Sequence, residues 1–311
     1  MKIQEREMTE MKKVFTNLMA AFLFVIGFLM LVYPEIQSQM FRHKNKQEII
    51  AFRESILQDS SSTQKTSGAY DDLLSNMKAY NQKIYEEKQT KLRDPWSYKE
   101  NIFDFVSMGI PDHMIGYITI DAMDVEIPLY IGASDANLRR GAVVLTQTSM
   151  PIGGENTNAV IAAHRGGYHG AAMFRDIEVL QLGDRIEITN LWETLEYEVI
   201  KTIVTVPNDM EAIQIVEGEE FVTLVTCHPY GDNAQRYVVY CKRIHQTKGE
   251  TNREVASRLV SDGIDYKSSQ LEIVKEQRVK IIGFVLFGAG VFLFLGRLIW
   301  RRQKRRSSRR F

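Results

Sequence analysis

Cysteine is scarce in this 311-residue chain: there are two, Cys227 and Cys241. That excludes a small fold stapled by several disulfides, and leaves at most one bridge, which the spacing alone neither requires nor forbids. Other signatures are missing too. There is no internal repeat, no glycine fingerprint for a dinucleotide, no phosphate-binding loop and no strong metal-ligand spacing. His164 and His169 flank "RGGY", and Cys227 adjoins His228, but neighbouring Cys and His rarely direct both side chains at one ion, so a zinc site is disfavoured. Net charge is absent as well, with 39 Lys and Arg against 39 Asp and Glu. The sum hides an asymmetry, because the tail after Trp300, "RRQKRRSSRRF", is rich in Arg and Lys and has no acidic residue.

What the chain does have is enough apolar residue for a sizeable core, 44% hydrophobic against 25% charged, which excludes a disordered protein. Two apolar runs stand out. Residues 14–33, "VFTNLMAAFLFVIGFLMLVY", match the roughly 20 residues that cross a bilayer as a helix, and 281–299 give about 19. The first is longer than the h-region of a signal peptide and "YPEIQSQM" offers no small-x-small cleavage site, so it reads as an uncleaved anchor. Arg301, Arg302, Lys304, Arg305, Arg306, Arg309 and Arg310 hold the C-terminus in the cytoplasm by the positive-inside rule. Two spans return the N-terminus, with Lys12 and Lys13, to the same side, so residues 34–278 face outward. The basic tail is a topology signal beside the bilayer rather than a nucleic-acid site.

Between the spans the texture changes once. Residues 41–57 and 70–89 carry apolar residues at helical spacing, separated by the polar "QDSSSTQKTSG", and predict a helical hairpin. "KLRDPWSYKENIFDF" follows, where Pro95 disfavours helix before it and Trp96 is a large aromatic in a polar stretch, in want of a surface to cover. From Met114 onward come short β-like runs: "IGYITI", "VEIPLYIG", "NAVIAAH", "DRIEITN", "LEYEVIKTIVTV", "FVTLVTC" and "RYVVYCKRI". Seven or eight such strands, with brief helical pieces such as "AAMFRDIEVL", predict a closed or nearly closed barrel, with a sandwich as the alternative. Past His245 the chain is polar and helix-like up to the second run.

The chemistry gathers at strand ends. Cys227 closes an apolar strand and faces the loop "HPYGDNAQ"; its thiolate is the nucleophile and needs a cationic or electropositive neighbour. Arg236 opens the next strand, so a hairpin brings it back beside Cys227. His164 ends another apolar run before a glycine-rich loop. Cys227 would attack a carbonyl, His164 would protonate the departing amine, and Arg236 would hold the oxyanion or the substrate backbone.

Together these residues resemble the sortases. "TLVTC" fits their TLxTC motif, ending at Cys227; the His of "AAHRG" falls at their catalytic His, His164; and the Arg of "QRYVV" falls at their Arg, Arg236. The resemblance covers residues 111–245 and implies a mainly β fold, an eight-stranded sortase-type β-barrel with short helices. The second span and the segment with Asp94, Pro95 and Trp96 resemble class C, the pilin-polymerising sortases, whose lid carries an Asp-Pro-aromatic motif. On that resemblance Asp94 lies near Arg236 or Cys227, and Trp96 covers the sulfur. One departure concerns "GAVVLTQTSMP", where many class C members carry a Gly-His-Leu segment, which puts the local groove wall and substrate choice in question.

The implied organisation is a cytoplasmic N-terminus (1–13), a transmembrane helix (14–33), an extracellular helical segment with lid (34–110) and the catalytic barrel (111–248). A linker (249–280), a second transmembrane helix (281–299) and a basic cytoplasmic tail (300–311) follow. The implied activity is cleavage of an LPxTG-like sorting signal through a thioester at Cys227, with transfer to a lysine of another pilin at the surface of a Gram-positive cell. Its partners are pilin subunits and the lipid bilayer, not nucleic acid, and it needs no cofactor. A sortase attaching proteins to peptidoglycan, and a non-enzymatic barrel that binds pilins, are the alternatives.

Overall fold

The computed structural model describes residues 2–61, 67–90, 114–166, 172–244, 252–259 and 261–307. Asp94, Pro95 and Trp96, expected from the resemblance to form a lid, and His169 lie outside the described residues. Two compact units are present, Met1–Gln39 with Glu272–Phe311, and Met40–Leu271.

Helix α1 runs Lys2–Ser61 and α2 runs Ser67–Glu86. The strands are β1 (Met114–Ile120), β2 (Val125–Ile131), β3 (Ala142–Val144), β4 (Thr157–Ala162), β5 (Arg185–Asn190), β6 (Thr194–Thr205), β7 (Glu220–His228) and β8 (Gln235–Arg243). A one-turn helix, α3 (Asp135–Leu138), lies between β2 and β3, while α4 (Asn252–Ser257) and α5 (Gln270–Ser307) follow β8. Residues 249–280, expected as a linker, thus contain α4 and the start of α5.

The sheet closes in the order β1-β2-β3-β4-β7-β8-β6-β5, which settles barrel against sandwich. β2 pairs with β3 and β4 with β7 in parallel; the remaining neighbours are antiparallel. Seven of the eight strands coincide with the apolar runs read from the sequence. The eighth, β3, is three residues long, too short for alternation to show. Gly116 marks the closest approach of the β1–β5 seam: a Cβ there would lie 2.0 Å from the Thr189 carbonyl oxygen, so no other residue fits without moving a strand.

The interior is filled by residues such as Ile118, Leu129, Val160, Ile188, Leu224 and Val239, each at most 1% exposed. The later part of α1 and all of α2 add a layer, burying Ile49, Phe52, Leu73 and Met77 in the same core. Polar pins complete that layer. Asn81 on α2 donates to the Met150 carbonyl (3.2 Å) and accepts from the Met150 N–H (2.7 Å), and Arg140 pairs with Glu48 of α1 at 3.3 Å. The hairpin expected from the sequence is therefore a part of the folded unit, not a bare stalk.

In the other unit, the apolar stretch of α1 and that of α5 are long enough and apolar enough to cross a membrane, with mean hydropathies of 2.3 and 1.6. Phe287 stacks on Phe24 and Phe28, with ring centroids 4.3 and 4.5 Å away.

Candidate active site

The site is built by pairing geometry. Cys227 is the penultimate residue of β7, and in the antiparallel ladder to β8 it stands opposite Arg236. β4 lies parallel to β7 with Ala162 opposite Val225, so both strands run out at the same rim and the residue two past β4, His164, arrives beside the end of β7. The Ala163 N–H donates to the Val225 carbonyl (3.3 Å) and the Thr226 hydroxyl to the Ala163 carbonyl (2.7 Å), which carries the pairing past the strand end.

Cys227, His164 and Arg236 line one cavity of about 120 Å³, whose apolar wall includes Ala133, Leu138, Leu145 and Val225. The structure thus brings together the three residues singled out in the sequence. Leu145 belongs to "GAVVLTQTSMP", so the departure from the class C pattern touches this cavity directly. Both cysteines are free: Cys227 is half-buried, whereas Cys241 is fully buried opposite Val222. The disulfide alternative is excluded by that register. Among the described residues no group of His, Cys, Asp and Glu is arranged to hold a metal ion.

Each polar group at the rim is held by its own element. The Arg236 guanidinium donates to the carbonyls of Asn233 and Gln235, both at 2.9 Å, which lays it along the β7–β8 loop. His164 is half-buried, and burial pushes its imidazole pKa below the ordinary range; the Arg139 cation pushes the same way and Asp135 opposes it. Those two charges come from the α3 region, where Arg139 and Asp135 pair at 2.5 Å and Ser134 caps the turn by accepting from the Asn137 N–H. His164 is accordingly neutral near pH 7, able to take a proton from a thiol and pass it on.

Behind the cavity lies a buried polar cluster that the sequence did not single out. Arg165 donates to the Cys227 carbonyl (3.3 Å) and to Nδ1 of His228 (2.7 Å), and it pairs with Glu178. The side chains of Arg165, Glu178 and His228 are 4%, 3% and 2% exposed. Arg165 and His228 are sequence neighbours of His164 and Cys227, which was the available signal. Glu178 sits in a short 3-10 turn, Ile177–Val179, inside a stretch that read simply as helical.

Against known proteins, a family model described as Sortase domain matches residues 118–244. The solved Streptococcus pneumoniae sortase C is 33% identical, with 66% of this chain and all of that one covered and a TM-score of 0.55. The chain belongs to the sortase family. A lid mutant of Streptococcus agalactiae sortase C1 is similar at 31% identity, covering 64% of this sortase and 98% of that chain with a TM-score of 0.54. Sortase A of Bacillus anthracis is 28% identical over 166 residues, 53% of this sortase and 77% of the relative. Sortases are cysteine transpeptidases of the cell surface, and this sortase acts on surface proteins that carry sorting signals, anchoring or polymerising them. Its structural neighbours are class C sortases.

Proposed function

We propose that this sortase polymerises pilins, with Cys227 as nucleophile, His164 as general acid and base, and Arg236 as the donor that holds substrate and oxyanion. The observation that carries the reading is the convergence of these side chains on one small cavity, with Cys227 and Arg236 facing each other across the β7–β8 ladder. The Streptococcus pneumoniae relative is described in terms of pilin substrate specificity, which supports the substrate class.

The sulfur attacks the carbonyl of the Thr in an LPxTG-like signal, forming a C–S bond while the Thr–Gly C–N bond breaks. The thiol proton passes to neutral His164 and from there to the departing glycine amine, so charge balances at every stage. In the second half the ε-amine of a pilin lysine attacks the thioester, His164 takes the amine proton and returns it to the sulfur, and an isopeptide bond remains. The thioester retains the acyl activation, so the transfer needs no nucleotide. In this reading the Arg236 guanidinium turns from the Asn233 and Gln235 carbonyls to the substrate carbonyl, and that hydrogen bond strengthens as the oxygen becomes an oxyanion in both halves.

Two flanking helices that span the membrane, with both chain ends cytoplasmic, would hold the enzyme on the same surface as its unprocessed substrate and raise the effective concentration of each. Asp94, Pro95 and Trp96 are the lid in this reading, with Trp96 covering the sulfur; that the similar Streptococcus agalactiae sortase C1 has a lid supports the presence of one. Asp94→Ala or Trp96→Ala should then speed alkylation of Cys227.

The decisive experiment is intact-mass analysis of the full chain in detergent micelles incubated with an LPxTG-type peptide. A thioester adduct on Cys227, absent in Cys227→Ala, is expected. With a pilin present, wild type should give a ladder of covalent polymers; a single wall-linked product in cells, without ladders, would instead assign peptidoglycan anchoring.

A further inference from the structure

The cluster of Arg165, Glu178 and His228 is costly to bury. Two full charges and an imidazole are removed from water, and such an arrangement is seldom worth more stability than well-packed apolar side chains of the same volume. Its connections suggest what it does instead. Arg165 follows His164 directly, and its guanidinium bonds to the carbonyl of Cys227; His228 follows Cys227 directly, and its Nδ1 accepts from that same guanidinium. The residue after the proposed acid-base group is thus bonded to the proposed nucleophile and to its successor.

The cluster is itself clamped from outside the barrel ladder. Glu178 accepts from the Ser268 hydroxyl (2.5 Å) and the Ser269 N–H (2.9 Å), and the His228 ring hydrogen-bonds the Lys267 backbone and meets the Tyr266 ring edge-on at 5.2 Å. Ser269 in turn accepts from the N–H of Tyr230 in the β7–β8 loop at 3.0 Å. Residues 266–269 therefore grip the loop between Cys227 and Arg236 from behind. Nδ1 of His228 lies 2.7 Å from the guanidinium and 3.3 Å from the Glu178 carboxylate, so the imidazole is shared between the two charged partners.

We infer that Arg165, Glu178 and His228 are positioning residues: the cluster fixes the end of β7 against the loop carrying His164, with residues 266–269 as its back wall. The inference rests on Cys227 being the nucleophile. Only a guanidinium can serve three acceptors in one plane, since an ammonium has no fork to match Cys227, His228 and Glu178 together. Small misplacements at such sites cost rate, about 10²-fold for roughly 1 Å. Binding of the peptide along the rim is affected far less.

The test uses the full chain in detergent, with an LPxTG-type peptide as probe, and measures kcat, KM, the thioester adduct and the thermal midpoint together. Arg165→Lys and Glu178→Gln should lower kcat by about 10²-fold while KM stays within about twofold. The double variant R165M/E178M removes both buried charges, so its midpoint should return to or exceed that of wild type, yet kcat should remain low. Ser268→Ala, which removes an exposed hydroxyl, should fold as wild type and lower kcat several-fold. Recovery of kcat along with the midpoint in R165M/E178M, or unchanged kcat in Ser268→Ala and Arg165→Lys, would show the cluster to be packing only. No adduct in wild type would instead overturn the assignment of Cys227, and the positioning role with it.

Discussion

Differential alkylation of the two cysteines probes barrel and site at once. Cys227 is half-buried at the rim and lines the cavity; Cys241 is 0% exposed within β8, opposite Val222 of β7, and burial pushes its thiol pKa well up. A reagent reaches Cys227 in the native state but reaches Cys241 only when the barrel opens. A core strand opens at close to the global unfolding free energy, for which about 5 kcal/mol is a low value. At about 1.4 kcal/mol per decade that suppresses labelling of Cys241 by roughly 4,000-fold relative to the unfolded chain. The assay is intact mass against time with iodoacetamide on the full chain in detergent at pH 7.5. One adduct should form without denaturant, be absent in Cys227→Ala, and be followed by a second only when denaturant is added. Two adducts forming at similar rates without denaturant would refute the buried placement of Cys241 and the closed ladder behind it, and a single adduct on Cys241 would refute the rim as drawn.

Asn81→Ala should cost about 1–3 kcal/mol in urea unfolding, because it strands the buried N–H and C=O of Met150; a change within error would mean α2 is not docked there. Stability should also fall on acidification. His164 and His228 have depressed pKa values, His228 chiefly through burial and then Arg165, so below about pH 6.5 the unfolded chain binds protons that the folded chain refuses. Burial raises the Glu178 pKa, but hydrogen bonds from Arg165 and Ser268 outweigh it, so its contribution is lost only further down, below about pH 4.5. Urea midpoints that do not decline between pH 7.5 and 5.5 would contradict this. For topology, single cysteines placed at Lys2 and at Ser307 in a Cys227→Ala background should both resist a membrane-impermeant thiol reagent in whole cells; labelling of either would exclude two spans with both ends inside.

Much of this molecule is legible in the sequence, for a physical reason. Strands such as β6 and β7 are long enough for hydrophobic patterning to show, and the hairpin between Cys227 and Arg236 follows from local chain order. β3 was not legible because three apolar residues carry no period, and its neighbours are set by closure of the sheet rather than by its own propensity. The Arg165, Glu178 and His228 cluster was hidden for another reason: Glu178 and Ser269 are some 90 residues apart, and only the folded chain brings them together. Conversely, the proximity of His164 to Cys227 depended on a parallel pairing of β4 with β7 that no local signal announces; the motif resemblance supplied it.

The closed ladder has a bearing on how a substrate can be recognised. Many proteins that grip extended peptides do so by adding the peptide to a free sheet edge, where main-chain hydrogen bonds give affinity with little regard to sequence. Here the described strands form a ring, so that mode is not on offer along the barrel wall. On the proposed function, a sorting signal is instead read by side chains and loops at the rim, where Leu138 and Leu145 line the cavity beside Cys227. Selectivity then lies in a few rim positions around a closed ring, where a substitution could change the client without touching a single strand pair.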